Sequence, residues 1–214
     1  MELLYEIDKA VFLFFNARLS HPVLDYVMPY ITEFRFWIIP GLAAAALFVF
    51  RERKKALIVL GLVALTTALC DPLSSQVLKK LFVRPRPCNP DAFVEGGRFI
   101  IGMWRSFSFP SSHSMNMFSV ATVLFCFYPK RGVYFYAFAA MIGYSRVYCG
   151  VHYPSDVLGG AVFGCLLGWG VYAGYLAVVR KWGKKPRPPD LKSNNSNNNM
   201  EGTRPLRGQP YPTL

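Results

Sequence analysis

Three short polar stretches interrupt an otherwise apolar chain, and they hold most of the residues able to do chemistry. The first is Lys79-Lys80-Leu81-Phe82-Val83-Arg84-Pro85-Arg86-Pro87 and the second is Pro110-Ser111-Ser112-His113. The third opens with Ser145-Arg146 and closes with His152, Pro154 and Asp156. Together they offer cations at Lys79, Arg86 and Arg146, two of the chain's three histidines, and a carboxylate. Hydrolysis of a phosphate monoester or anhydride asks for this set: cations for the equatorial oxygens, a nucleophile in line, and a proton for the leaving oxygen.

Each stretch carries its own local geometry. Pro85 and Pro87 end a helix and hold Arg84 and Arg86 in extended backbone, so Arg86 can fold back toward Lys79 above the helix end. Pro110 suits the first position of a helix, leaving the N–H groups of Ser111, Ser112 and His113 pointing outward. Such a helix start is a ready anion site, and the Ser111 hydroxyl adds a donor. His113, in that first turn, is placed to protonate a departing oxygen. In the third stretch Gly150 turns the chain and Asp156 falls in the first turn of the next helix. A separation of four residues lets its carboxylate reach the His152 imidazole, fixing the tautomer and supporting the charged form. Ser145 is a minor donor beside them. His21 reads as structural. Asp71 is a costly carboxylate inside an apolar helix and can pair with a motif cation.

The elements that must position these groups are apolar. The chain has 214 residues, 53% hydrophobic and 17% charged. Residues 157–179 carry no charge, a run that crosses a hydrocarbon core of about 30 Å at about 1.5 Å per residue. Shorter apolar runs at 36–50, 56–70, 110–128 and 132–149 alternate with basic turns. The pattern predicts an all-α integral membrane protein, a bundle of five transmembrane helices, or six if residues 22–32 join a first crossing. Residues 1–19 mix Leu3, Leu4, Ile7, Val11 and Phe12 with Glu2, Glu6, Asp8 and Lys9, which suits an amphipathic helix at the interface. The expected organisation is therefore an N-terminal segment at 1–33, a membrane domain at 34–182, and a polar tail at 183–214. That tail is Asn-rich and cannot bury a core; it is expected to be disordered, or a scar of cloning.

Charge fixes the orientation. The net charge of +12 does not imply nucleic acid, because the cations bracket apolar helices instead of covering a soluble face. Arg51–Lys55, Lys130-Arg131 and the run from Arg180 to Arg187 fall on one side of five crossings, which the positive-inside rule makes cytoplasmic together with the C-terminus. The three motifs then face the periplasm or exterior. Five cysteines show no CxxC pair or zinc spacing, so no metal is expected and the thiols read as core, Cys88 and Cys149 included. Glu2, Glu6 and Asp8 stand where a signal peptide would be basic. Trp37, Trp104, Trp169 and Trp182 read as interface anchors or core.

In order and spacing the three stretches resemble the signature of the type-2 phosphatidic acid phosphatase superfamily, whose membrane members remove phosphate from lipids. The resemblance covers Lys79 to Asp156 at motif level and implies metal-independent hydrolysis with no cofactor. It implies His152 as nucleophile, passing through a phosphohistidine, with Asp156 as its orienting partner. Lys79, Arg86, Arg146, Ser111 and Ser112 would bind the phosphate, Arg146 in bidentate fashion. Family members usually carry glycine where this chain has Ser112, so its hydroxyl either joins the binding or narrows the pocket. The related vanadium haloperoxidases are soluble, unlike this chain. Small bacterial members act on undecaprenyl pyrophosphate, lipid A 1-phosphate or phosphatidylglycerol phosphate, so the implied partners are a phosphorylated lipid and the inner-membrane bilayer. The alternative is a non-catalytic lipid- or anion-binding protein or transporter. No motif reports oligomeric state.

Overall fold

The computed structural model describes residues 2–182; the tail expected from residue 183 onward lies outside them. Helices make up the whole of the regular structure among the described residues. The chain opens with α1 (Glu2–Leu13), continues through a π turn (Phe14–Arg18) and breaks at Leu19. His21 caps α2 (Pro22–Thr32), its Nδ1 accepting from the Val23 N–H at 3.2 Å, the structural role expected of it. α3 (Arg35–Glu52) follows at an angle of 61° to α2.

α4 (Lys54–Pro72) runs through a second π turn (Leu73–Leu78) into the short α5 (Lys79–Phe82), making one 29-residue rod. Val83 ends it in the left-handed region with φ 47°. The prolines that follow cannot continue a helix. After a long loop come α6 (Ser112–Phe127), a 3₁₀ turn at Pro129–Arg131, α7 (Gly132–Tyr148) and the 29-residue α8 (Pro154–Trp182).

Two of these helices, the α4–α5 rod and α8, are long and apolar enough to cross a membrane, and a third qualifies if the bent α2–α3 pair is one span. α6 and α7, at 16 and 17 residues, sit at the lower edge of the usual range of about 17–25. Both are cut short at the same end, where polar motif residues take over. Ile39, Leu42, Leu158, Leu166 and Trp169 stand exposed on the outer faces, as lipid-facing side chains do.

A glycine ridge on α8 sets the central contact. A Cβ added to Gly160, Gly164 or Gly168 would lie 2.6, 2.3 and 2.5 Å from the carbonyl oxygens of Ser111, Met115 and Ser119 on α6. Small residues every fourth position let two helix backbones touch in this way. The chain direction then gathers the end of α5, the start of α6, the end of α7 and the start of α8 at one end of the bundle. The basic turns lie at the other, where Lys55 Nζ stands 4.1 Å from the Tyr128 ring centre and Phe48 packs on the same ring.

The N-terminal helix does more than lie flat. Leu3, Leu4 and Ile7 are exposed, but Phe12 is buried with Val94, Val147 and Tyr153, and Asp8 is buried as well. Asn16, in the π turn, donates to the carbonyls of Tyr148 at 2.7 Å and Arg98 at 2.8 Å, and accepts from the Arg98 N–H at 2.6 Å. It thereby satisfies a carbonyl left open at the end of α7 and ties down the loop beside it.

Candidate active site

The site is built around His152. α7 ends at Tyr148, and Gly150 turns the chain with φ 84°; a Cβ there would lie 2.1 Å from the Arg98 carbonyl oxygen. His152 follows, buried, just ahead of the α8 start at Pro154. Its Nδ1 is 3.4 Å from Asp156 Oδ2, and its Nε2 is 3.0 Å from Arg86 Nη1. A guanidinium has donors and no acceptor, so Nε2 accepts there and the ring proton belongs on Nδ1, facing the carboxylate. Burial, followed by the charges of Arg86, Arg146, Lys79 and His113, holds the imidazole well below its ordinary value of 6.5. It is neutral at pH 7.

Asp156 is fully buried and held from several sides. Oδ2 also accepts from the Tyr153 N–H at 2.8 Å, and Oδ1 accepts from Arg84 Nη1 at 2.8 Å and from Ser108 Oγ at 3.5 Å. Arg84 is thus the carboxylate's partner. It lies over the Tyr153 ring at 4.1 Å and reaches Asp8 through Nη2 at 2.6 Å. These acidic partners raise its affinity for its proton against the opposing effect of burial.

Arg86 is buried and fixed in direction. Nε donates to Ser106 Oγ at 2.9 Å and to the Ser106 carbonyl at 3.2 Å, while Nη1 also reaches the Val151 carbonyl at 3.0 Å. Trp104 lies against it, its ring centre 5.3 Å from the guanidinium carbon. Arg146, also buried, donates from Nη1 to Thr32 Oγ1 at 2.7 Å. Its Nε has no hydrogen-bond partner among the described residues, a buried donor left open. Lys79 is half-buried on α5.

The start of α6 differs from the sequence expectation. Pro110 was expected at the first helical position, but the helix begins at Ser112 and Ser111 is its N-cap: the Ser111 hydroxyl accepts from the Ser114 N–H at 3.5 Å. Its own N–H donates to the Asp156 carbonyl at 3.0 Å. Ser111 therefore joins two helix starts, and its N–H is not open to an anion. A serine side chain that can cap outcompetes the proline signal for the helix boundary. The Ser112 hydroxyl pairs with Ser74 Oγ at 2.7 Å, in the π turn of the α4–α5 rod. Ser145 Oγ bonds back to the Ile142 carbonyl at 2.7 Å within its own helix. Asp71 pairs with Asn116 Nδ2 at 2.8 Å instead of a motif cation, since the rod carries it to a level below the motif arginines.

A cavity of about 510 Å³ opens beside these groups. His113 and Arg146 line it, with Trp104 and Ile101 from the loop and Thr32, Glu33 and Arg35 from the α2–α3 elbow. His152 does not line it. No cluster of three or more His, Cys, Asp or Glu able to hold a metal occurs among the described residues, and all five cysteines are free thiols.

Sequence reasoning missed Asp8, Thr32, Ser106 and the role of Arg84. The signal for Asp8 was there, as a single acid on the apolar side of an amphipathic helix. Thr32 and Ser106 give no comparable sign, because each acts through a contact across the fold.

Hydrolysis of phosphate esters at a membrane is the class of activity that this fold and its kin define. More narrowly, the chain belongs to the PAP2 superfamily, whose family model matches residues 41–180. It is 33% identical over 179 residues to the lipid A 4'-phosphatase of Bacteroides thetaiotaomicron, covering 80% of this chain and 78% of that one. The lipid A 4'-phosphatase of Porphyromonas gingivalis is 32% identical over 188 residues, covering 85% and 78%. The crystal structure of Aquifex aeolicus LpxE superposes with a TM-score of 0.59 at 29% identity, over 77% of this chain and 93% of that one. The chain is a lipid phosphatase of this family, as its motifs implied.

Proposed function

We propose that this protein removes a phosphate group from a phosphorylated membrane lipid, lipid A being the first candidate, through a phosphohistidine on His152 and without a metal. The observation that carries the reading is the placement of His152, its Nδ1 facing Asp156 and its Nε2 facing Arg86. As substrate enters, Arg86 exchanges Nε2 for a phosphate oxygen, and the freed lone pair attacks phosphorus. Lys79, Arg86 and the open Nε of Arg146 take the equatorial oxygens. Attack from the His152 side sends the leaving oxygen to the far side, where His113 lines the cavity and supplies its proton. Water then cleaves the phosphohistidine with His113 as base. The cavity is large enough for a head group and lies on the leaving-group side. The lipid A activity of two relatives supports that substrate; undecaprenyl pyrophosphate and phosphatidylglycerol phosphate share the same reacting group.

The basic turns at one end of the bundle and the motifs at the other support a site on the periplasmic or outer face of the inner membrane, with five or six crossings and the end of α8 in the cytoplasm. Phosphate release by detergent-purified protein in EDTA, over a panel of lipid A, undecaprenyl pyrophosphate, phosphatidylglycerol phosphate and phosphatidic acid, tests the reading. Metal-free release is expected, lost on the order of 10³-fold or more in His152→Ala. Release that needs added magnesium, or that survives His152→Ala, overturns the mechanism. Silence on every lipid from folded protein points to a binding or transport role instead.

A further inference from the structure

α1 meets the edge of the site through Tyr5 and Phe12, which pack on Tyr153, and through one carboxylate, Asp8. The Asp8 carboxylate accepts from Arg84 Nη2 at 2.6 Å, from the Ser155 backbone N–H at 3.0 Å, and from the Ser155 hydroxyl. Arg84 directs its other amino group, Nη1, to Asp156 Oδ1 at 2.8 Å and to Ser155 Oγ at 2.6 Å. A line of alternating charge therefore runs from Asp8 through Arg84 to Asp156 and ends on His152 Nδ1. All of its members are at least largely buried.

We propose that Asp8 is a positioning residue for the His152–Asp156 pair, holding Arg84 between two carboxylates so that Asp156 keeps one oxygen for the imidazole. The inference rests on the phosphohistidine reading above. Arg84 now touches only Oδ1, which leaves Oδ2 to His152 and the Tyr153 N–H. A guanidinium released from Asp8 favours bidentate contact with the remaining carboxylate, which would draw Oδ2 away from the ring.

Charge argues the same way. The groups facing the pair are Lys79 from α5, Arg84 and Arg86 from the following loop, His113 from α6, Arg146 from α7 and Asp8 from α1. Tyr153 and Ser108 complete the ring as neutral neighbours. Arg86, Arg146 and Lys79 crowd the imidazole while Arg84 sits on its carboxylate partner, and Asp8 offsets part of that charge. Without it His152 would bind a proton, and a phosphorus atom, less well.

The experiment compares full-length Asp8→Asn, Arg84→Gln and His152→Ala with wild type, measuring phosphate release against pH on the panel lipid that wild type hydrolyses fastest. Asp8→Asn is expected to lower kcat by roughly 10- to 100-fold, to leave KM within about twofold, and to move the acid limb of kcat/KM to lower pH, since that limb reports the free enzyme. Arg84→Gln removes a cation instead, so its acid limb is expected to move to higher pH. A packing role for Asp8 would produce neither opposed shift. A folded Asp8→Asn protein with wild-type kcat and an unmoved limb overturns the inference. If that variant does not fold, an unmoved or downward limb in Arg84→Gln overturns it. Activity surviving in His152→Ala defeats the underlying reading; loss there beside an indifferent Asp8→Asn defeats only this inference.

Discussion

Arg86 and Asp156 meet His152 on opposite edges of the ring, and between them they decide where its proton sits. Burial and the surrounding cations oppose a second proton, so the imidazole stays neutral far into acid. The acid limb of kcat/KM is therefore expected well below pH 6.5; a limb at or above 6.5, read from initial rates between pH 4 and 8, would contradict this. Stability follows with a definite sign. The unfolded His152 takes a proton near pH 6.5 while the folded one does not, so its contribution is present above that pH and is lost as pH falls toward the folded value. Urea unfolding across the same range should show stability rising with pH, with less slope in His152→Gln. The spacing of four between His152 and Asp156 was legible in the sequence because a helix start fixes it. The choice of Arg84 over Arg86 as the carboxylate's partner was not, since two arginines separated by one proline look alike until the loop is folded.

At the scale of elements, the α8 glycines decide how close the helices stand. Gly164 is packed against the Met115 carbonyl so tightly that no side chain fits, whereas Gly174 meets nothing within 4 Å. Gly164→Val is expected to cost about 1–3 kcal/mol or more and to reduce activity, since it displaces the start of α6 that carries His113. Gly174→Val should leave both nearly unchanged. Thermal unfolding in detergent, followed with the phosphate assay, checks the pair. The helices themselves were readable as apolar runs between basic turns, and so was the rod that continues past Asp71-Pro72. The ridge at Gly160, Gly164 and Gly168 was also present as a period of four, but it is silent until a partner helix is known. The position of α1 could not be read, because amphipathic patterning looks the same whether the apolar side meets lipid or protein.

For the whole molecule, the ends of the bundle carry the orientation. Asp91 stands exposed in the motif-side loop and Lys130 exposed at the basic end. Asp91→Cys is expected to react with an impermeant maleimide on intact spheroplasts, and Lys130→Cys only after permeabilisation; the reverse pattern would invert the proposed topology. Cys70, Cys88 and Cys149 are buried and Cys126 and Cys165 are half-buried, so native background labelling should be low. The family was readable from the motifs because they are contiguous, while the crossing number was not, because α6 and α7 sit at the limit of length.

The contact between Asp8 and Ser155 also sets an order of events during synthesis. The two residues are 147 positions apart, which at about 5–20 residues per second leaves roughly 7–30 s between their appearances. Throughout that interval the Asp8 carboxylate has no cation from the motif loop and no helix start to cap, and hydrocarbon is closed to it. It must wait in water at the membrane face. α1 thus finds its seat only once α8 has begun, and the site closes when two segments 147 positions apart meet.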